Sequence, residues 1–310
     1  MSNPPTAFIL DFDSTITTSD TISPLTTAAI TYQKAHTGID LTNTWLTISD
    51  TYSQLFSRSL HSYTPSSTDR TTLAEEITYQ RHLRNVELPS FKRVSESGIF
   101  KGVGKEEWKR FARIAVERGE VGVRRGWSEF VESVKRRGGR WGVVSVNFSG
   151  EWVRGVLEVG GGGAETSSGV KDRVGNLDVD VLANHPNEEG ILLGPGGGPV
   201  MATSDAKLAA MEEMLRKWKE EGVKVDRVVY FGDSGTDLEC LTKEGVIGVI
   251  ISGDGGGRLM DSLKRIGREP VHVSSPDVVQ KGESETLYWA RDFEEVVESE
   301  LFGLGEGKKL

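Results

Sequence analysis

Two aspartates, two positions apart, follow a short apolar run near the start of the chain. The run AFIL ends directly before Asp11, and Phe12 alone separates Asp11 from Asp13. Alternate residues of a strand point to the same side, so the two carboxylates are expected to converge. Like charges this close repel each other unless a bound cation or a shared proton offsets the repulsion. Capping of the next turn is the alternative for Asp13, since Ser14 and Thr15 follow it.

A second pair of aspartates follows another apolar run, in the stretch YFGDSGTDLECL. Asp233 stands where this run ends, and Asp237 lies four residues later, in the first turn of a predicted helix. Taken alone, Asp237 is equally consistent with an acid that complements the helix dipole. Acids at the ends of two strands, however, indicate a site for a hard cation with oxygen ligands, for which Mg²⁺ fits best.

Two further positions carry side chains suited to an anion. Ser145 lies where the run WGVVSV ends, and its hydroxyl and the amides of Val146 and Asn147 are potential donors. A turn residue is the alternative for Ser145. Lys207 lies in the first turn of a predicted helix, where a cation opposes the helix dipole, so helix stability does not explain it. A solvated surface lysine is the alternative.

Short apolar runs alternate with helix-like segments over much of the chain. The runs are rich in β-branched residues, which is typical of buried parallel strands; they are AFIL, WGVVSV, RVVYFG and VIGVIIS. Apolar residues three and four apart predict helices from Trp127, Glu151, Ser204 and Thr236. This alternation predicts an α/β fold with a Rossmann-like parallel sheet, whose ligands bind at the carboxyl ends of the strands.

The stretch 21–120 has no strand-like run. It carries helical stripes of apolar residues instead, one of which includes Trp45 and Tyr52. We therefore predict a helical cap at 21–120, inserted into an α/β core formed by 1–20 and 121–310. Trp45 and Tyr52 either stack on an aromatic ring of a ligand or, as is more usual at helical spacing, form the core of the cap.

Two glycine-rich stretches follow the middle of the chain, VGGGGAETSSG from Val159 and GPGGGP from Gly194. Neither has the spacing of a dinucleotide-binding or Walker A loop, so we expect flexible loops. The segment DVLANHPNEEGILLG, which begins at Asp180 between them, predicts a β-hairpin.

Composition narrows the possible functions. The 310 residues carry a formal net charge of -9, with a pI near 5.3, which argues against a general affinity for nucleic acid or an anionic membrane. No apolar run approaches the length of a membrane-spanning helix, and the opening MSNPPTAF is too short and polar for a signal peptide. The single cysteine, Cys240, excludes an internal disulfide. We expect an intracellular, cytoplasmic protein, and its oligomeric state stays open.

The order of these motifs resembles the haloacid dehalogenase superfamily over essentially the whole chain. The matching features are DxDxT after the first strand, a serine after a later strand, a lysine at a helix start, and GDSxxD. The resemblance implies that Asp11 is the nucleophile and Asp13 the general acid and base. It also implies a phosphate site of Thr15, Ser145, Val146, Asn147 and Lys207, and a Mg²⁺ site of Asp11, Asp13, Asp233 and Asp237.

Asp13 also separates the classes within that superfamily. The dehalogenases lack an acid at this second position and the ion pumps have threonine there, whereas the phosphatases and phosphomutases have aspartate. The resemblance therefore implies Mg²⁺-dependent hydrolysis of a small-molecule phosphate ester through an aspartyl-phosphate. A phosphomutase, which must exclude water from that intermediate, is one alternative. A catalytically silent protein that binds a phosphorylated ligand is another.

Five stretches show a closer resemblance, to the phosphatase domain of the plant bifunctional thiamine-phosphate phosphatases; they are DFDSTITTSD, TNTWLTISDTYSQLF, SESGIFKG, GDSGTDLECL and ETLYWARDFEEV. The implied substrate is thiamine monophosphate or another small metabolite, such as phosphoserine, phosphocholine or a nucleotide. Asp20 lies where related phosphatases often carry an acid that faces the leaving group, and a carboxylate there favours a cationic substrate. Capping of the next helix is an equal alternative for Asp20.

Overall fold

The computed structural model describes residues 5–160, 179–275 and 287–299. The strands in these ranges are β1 (Thr6–Leu10), β2 (Arg140–Ser145), β3 (Asp180–Ala183), β4 (His185–Pro186), β5 (Leu192–Leu193), β6 (Arg227–Gly232), β7 (Val246–Ile251), β8 (Val271–His272) and β9 (Tyr288–Ala290). The α-helices are α1 (Ile22–Thr37), α2 (Thr42–Ser62), α3 (Leu73–His82), α4 (Arg84–Glu96), α5 (Lys105–Glu117), α6 (Trp127–Arg136), α7 (Gly150–Gly160), α8 (Ser204–Glu220), α9 (Leu238–Leu241), α10 (Arg258–Arg265) and α11 (Phe293–Glu298). None of these helices combines the length and the apolar character needed to cross a membrane.

Seven of the described strands form one parallel sheet, in the order β3, β2, β1, β6, β7, β9, β8. At its centre, Leu10 of β1 lies opposite Val143 of β2 and Phe231 of β6. The chain winds outward from β1 in both directions, and ligands bind beside such a switch point. The predicted α/β fold with a Rossmann-like parallel sheet is confirmed, and the four apolar runs form β1, β2, β6 and β7.

The central strand β1 is apolar on both faces because helices cover both sides of the sheet. Phe8 packs against Phe130 of α6, with ring centroids 5.5 Å apart, and belongs to one apolar cluster. Ile9 belongs to the opposite cluster, together with Met214 and Trp218 of α8. Burying a side chain of this size stabilises the fold by about 1.5–3 kcal/mol. The strand ends are therefore held on a rigid platform.

The segment that begins at Asp180 forms less of a hairpin than its sequence predicts. Its first residues are β3, which pairs in parallel with β2, and β4 and β5 alone form the antiparallel hairpin. The Asp180 carboxylate accepts hydrogen bonds from Trp218 Nε1 at 2.7 Å and from Arg140 at 2.6 Å. These long-range bonds hold β3 beside β2. They join residues that are far apart in the chain, so the local sequence pattern does not predict them. The glycine-rich stretch from Val159 lies mostly outside the described residues.

Helices α1 to α5 occupy the stretch 21–120, for which helices are predicted. They differ in which parts of the protein they pack against. Helix α5 approaches α7 so closely that a Cβ on Gly155 would lie 2.8 Å from Ala112 and Lys109. Leu25 of α1 and Trp108 of α5 belong to the same apolar cluster as the sheet residues. Helices α2, α3 and α4 lie over the carboxyl ends of the strands. The division into a 21–120 cap and a separate core stays a prediction.

Ion pairs join α3 and α4 to the core helices. Arg81 binds Glu239 of α9, and Arg84 binds Asp205 of α8. The most buried of these contacts centres on Glu76 of α3, whose carboxylate lies 2.9 Å from Arg70 Nε and 2.7 Å from Arg265 of α10. This arrangement fixes the position of α3 above the sheet.

We expect Glu76→Gln to lower the free energy of unfolding by about 3–5 kcal/mol, because it leaves the buried guanidinium of Arg70 without a carboxylate. Urea denaturation measures this loss. The control is Glu117→Gln, a change at an exposed residue of α5, which should stay within about 0.5 kcal/mol of the wild type. Equal stability of the two variants would show that the Glu76 contacts do not hold α3 in place.

Candidate active site

Three of the predicted acids meet at the carboxyl ends of β1 and β6. Asp11, Asp233 and Asp237 each offer a carboxylate oxygen, and these oxygens all lie within 4.8 Å of one another. The Asp11 amide donates to the Phe231 carbonyl at 2.8 Å, which extends the pairing of β1 with β6 by one residue. The parallel register therefore carries residues that are far apart in sequence to a common point.

Lys207 lies within this acidic cluster and is fully buried. Its Nζ is 2.8 Å from Asp11 Oδ1 and 2.6 Å from Asp237 Oδ1. Burial alone lowers the pKa of Lys207, but the Asp11 and Asp237 carboxylates outweigh burial, so its pKa lies above the usual value. The ammonium stays charged at neutral pH. The alternative of a solvated surface lysine is therefore wrong for Lys207.

Asp237 has hydrogen-bond partners on both carboxylate oxygens. Oδ1 accepts from Lys207 and from the Tyr230 hydroxyl at 2.7 Å. Oδ2 accepts from the amides of Asp233 at 3.2 Å and Ser234 at 3.1 Å, and from the Ser234 hydroxyl at 3.0 Å. Two carboxylate oxygens have about four lone-pair positions, and these five donors use them. The geometry suits Asp237 to orienting Lys207, and direct ligation of a metal by Asp237 stays a prediction.

The carboxylate of Asp13 does not join the three-acid cluster. Strand β1 ends at Leu10, so the alternation of a strand no longer applies at Asp13. The Asp13 carboxylate accepts hydrogen bonds from the Thr21 amide at 2.8 Å, the Thr21 hydroxyl at 2.7 Å and Asn147 Nδ2 at 2.8 Å. Burial, reinforced by the charge of Asp20, raises the pKa of Asp13 to about 6. An acid with this pKa gives and takes protons near neutral pH.

The loop after β2 positions Asp13 as well as offering donors to an anion. The Asn147 side chain is committed to Asp13, and its amide donates to Ser145 Oγ at 3.1 Å. Asn184 fixes the loop by donating to the carbonyls of Val146 at 3.0 Å and Asn147 at 3.2 Å. The Ser145 hydroxyl accepts the bond from the Asn147 amide, and its contact with a phosphate stays a prediction. The sequence did not indicate Thr21 or Asn184 as members of this network, because neither belongs to a recognisable motif.

Arg124 stabilises the turn that follows Asp11. Its Nε donates to the carbonyls of Ser14 at 3.2 Å and Thr15 at 3.0 Å. Ser14 has a φ of 58°, a left-handed conformation that a non-glycine residue holds when its surroundings fix it. The Thr15 hydroxyl donates to Asp233 Oδ1 at 3.1 Å, so it links the two strand ends. A phosphate contact of Thr15 stays a prediction.

The charge balance of the cluster fits a divalent cation. Burial, reinforced by the Asp237 carboxylate, raises the pKa of Asp11 well above its usual value and the pKa of Asp233 to about 7. Lys207 opposes both shifts but does not cancel them. A cation between Asp11 and Asp233 would favour their ionised forms, and carboxylate oxygens are the ligands that Mg²⁺ prefers. The residues present therefore fit a Mg²⁺ ion.

Asp20 makes the capping contact that its position also allowed. Its Oδ1 accepts a hydrogen bond from the amide of Ile22, the first residue of α1, at 2.8 Å. The Asp20 carboxylate also adds to the rise in the pKa of Asp13 and of Tyr52. Asp20 therefore lies near Asp13 at the start of α1, and its contact with a substrate stays a prediction.

A cavity of about 710 Å³ separates the strand ends from α2, α3 and α4. It is lined by Ser14, Arg124 and Asp233 near the strand ends, and by Tyr52, Phe56, Tyr79 and Glu87 of α2, α3 and α4. Trp45 packs against the apolar cluster of the core instead. Of the two aromatic residues considered above, Tyr52 faces the cavity and Trp45 supports the fold. A cavity of this size holds a leaving group far larger than phosphate itself.

Comparisons with known proteins bear on the fold. No protein-family model matches the chain, and no curated protein matches it. Cytosolic 5′-nucleotidase IIIB bound to cytidine is 15% identical with a TM-score of 0.55, over 96% of this chain and 85% of that one. The chain has the haloacid dehalogenase fold.

Two further solved structures align with nearly the whole chain. Phosphoserine phosphatase in its apo form is 17% identical with a TM-score of 0.45, over 95% of this chain and 98% of that one. A haloacid dehalogenase family hydrolase from Salmonella enterica serovar Typhi is 12% identical with a TM-score of 0.43, over 99% and 74%. At these identities the likeness concerns the fold, and a fold does not imply a function.

Proposed function

We propose that this protein is a Mg²⁺-dependent phosphatase that hydrolyses a small phosphorylated metabolite through an aspartyl-phosphate on Asp11. One observation carries the proposal: the buried Lys207 bridges Asp11 and Asp237 beside a third acid, Asp233, at a sheet switch point. A structural ion pair needs one acid for one base. The excess of acid suits a site completed by a cation and a phosphoryl group.

In the first half-reaction, a carboxylate oxygen of Asp11 attacks phosphorus and the bond from phosphorus to the ester oxygen breaks. Asp13, in its acid form, gives its proton to that oxygen, so the product leaves as an alcohol. The bonds from Thr21 and Asn147 hold Asp13 in one orientation for this step. Lys207 and the Ser145 hydroxyl are positioned to bind phosphoryl oxygens.

In the second half-reaction, the Asp13 carboxylate takes a proton from a water molecule, whose oxygen attacks phosphorus and releases Asp11 and inorganic phosphate. The pKa of about 6 suits Asp13 to both directions of transfer. Mg²⁺ held by Asp11 and Asp233, when bound, supplies positive charge that neutralises the phosphoryl oxygens. A phosphomutase would have to exclude this water.

Thiamine monophosphate is the substrate we propose to test first. The sequence resemblance described above supports it, as do a cavity of about 710 Å³ and acids in the cap and at its base. Phosphoserine, phosphocholine and nucleoside monophosphates are the competing substrates. The solved structure with cytidine makes nucleotides a necessary part of the screen.

Phosphate release decides the proposed function. We expect the purified protein to hydrolyse p-nitrophenyl phosphate with Mg²⁺, to lose this activity with a chelator, and to regain it when Mg²⁺ is added back. The same assay over the metabolites named above is expected to show a preference for thiamine monophosphate. No release from any ester would indicate a silent binding protein, and release without that preference would reject the substrate and keep the reaction.

A further inference from the structure

The cap places one acid in the cavity with no positive charge beside it. Glu87 of α4 lines the cavity, and its Oε1 accepts a hydrogen bond from the Tyr52 hydroxyl at 2.9 Å. Within residues 5–160, 179–275 and 287–299, no basic side chain offsets its charge. Burial raises the pKa of Glu87 to about 7, although the Tyr52 bond acts in the opposite direction. A half-buried carboxyl without an opposite charge is a candidate for binding a cationic ligand.

The arginines of the same cavity are engaged elsewhere. Arg70 and Arg265 both bind Glu76 at the end of the cavity formed by α3 and α10. The guanidinium of Arg70 also lies 3.9 Å from the centre of the Tyr79 ring. Arg258 lies 5.9 Å from the centre of the Phe56 ring. Cations therefore already contact aromatic residues of this cavity, whereas Glu87 forms no ion pair with any described residue.

We propose that Glu87, oriented by Tyr52, determines specificity by binding a positively charged nitrogen on the leaving group of the phosphate ester. This inference rests on the proposed function, in which the phosphate ester enters the cavity that Asp233 and Glu87 both line. The Tyr52 ring offers a face to the cation while its hydroxyl keeps the carboxylate in place. The cavity has room for a substituted aromatic ring between the two ends.

A pair of esters with the same shape tests this assignment. The probes are 4-(trimethylammonio)phenyl phosphate, which is cationic, and 4-tert-butylphenyl phosphate, which is neutral. The ratio of their kcat/KM values is measured in the wild type and in Glu87→Gln. Because the two phenols differ in acidity, the change of this ratio between proteins is the quantity that counts.

We expect the ratio to fall at least tenfold in Glu87→Gln, through a higher KM for the cationic ester, while kcat/KM for the neutral ester stays within about threefold. The matched control is Glu96→Gln, at an exposed residue of the same helix, which should leave the ratio unchanged. Tyr52→Phe keeps the ring and removes the hydrogen bond, so it should lower the ratio by a smaller factor. A fall of less than tenfold in Glu87→Gln overturns the proposal.

A binding measurement separates this inference from the proposed function. Calorimetric titration of the wild type compares 4-(trimethylammonio)phenol with 4-tert-butylphenol, and neither compound needs to react. We expect the cationic phenol to bind at least tenfold more tightly, and equal affinities would overturn the role of Glu87. Tight binding of the cation without hydrolysis of any ester would reject the phosphatase and retain the cation site.

Discussion

Asp11→Asn is expected to lower kcat by about 10⁴-fold or more. An amide oxygen is a poor nucleophile, and no other described residue occupies the position of the Asp11 carboxylate. The assay is phosphate release at saturating p-nitrophenyl phosphate with Mg²⁺. Asp50→Asn, at an exposed position of α2, is the matched control and should retain full activity. Activity in the Asp11→Asn protein close to that of the wild type would rule out the aspartyl-phosphate.

The same substitution is expected to leave the melting temperature of the metal-free protein equal to or above that of the wild type. Burial raises the pKa of Asp11 above its usual value of 3.8, so the folded state disfavours the ionised carboxyl. A carboxyl of this kind reduces stability as the pH rises above its unfolded pKa, and the amide removes that cost. Loss of activity without loss of stability would separate a chemical role from a structural one.

Lys207→Met is expected to have the largest effect on both activity and stability. Methionine has a similar length, but it leaves the buried carboxylates of Asp11 and Asp237 without the ammonium that binds them at 2.8 Å and 2.6 Å. Breaking a buried ion pair in this way costs about 3–5 kcal/mol. Phosphate release should fall to background, because the phosphoryl group also loses its cationic ligand. Urea denaturation of the metal-free protein measures the loss of stability.

The pH dependence of that loss identifies its cause. Burial raises the pKa of Asp11 and Lys207 counteracts that rise, so without Lys207 the folded pKa of Asp11 lies further above its unfolded value and the folded state becomes less stable as the pH rises. The deficit should therefore be larger at pH 8 than at pH 5. Lys219→Met, at an exposed position of the same helix, is the control and should show neither the loss nor the pH dependence. A deficit that is independent of pH would point to lost packing instead.

Local patterns predicted the parts of the site that lie directly on regular elements. Asp11 and Asp233 each follow an apolar run, and those runs are neighbouring parallel strands, so the two acids meet as expected. Gly232 is part of the same motif. A side chain at this position would collide with Asp237, because a Cβ there would lie 2.4 Å from Asp237 Cγ. Lys207, which opposes the dipole of its own helix, was recognisable because local stability does not explain it.

The contacts of residues beyond the end of a strand could not be predicted from the local pattern. Strand β1 stops at Leu10, so the carboxylate of Asp13 follows the turn and binds Thr21 and Asn147, apart from the other three acids. The Asn147 side chain positions Asp13, a contact that the motif did not indicate, and the phosphate contact expected of Asn147 stays a prediction. Each of these contacts joins residues 8 or 134 positions apart in the chain, a distance at which a single sequence carries little information.

By itself, the sequence determined the class of the fold, the strands that hold the acids and the presence of residue types suited to a divalent cation, because periodicity and motif spacing act over short distances. The tertiary structure alone decided which donors bind Asp13, that Asp237 lies against Lys207, and that Glu87 lines the same cavity as Asp233. Most of these contacts join segments that are far apart in the chain, and packing between distant segments is set by the whole fold.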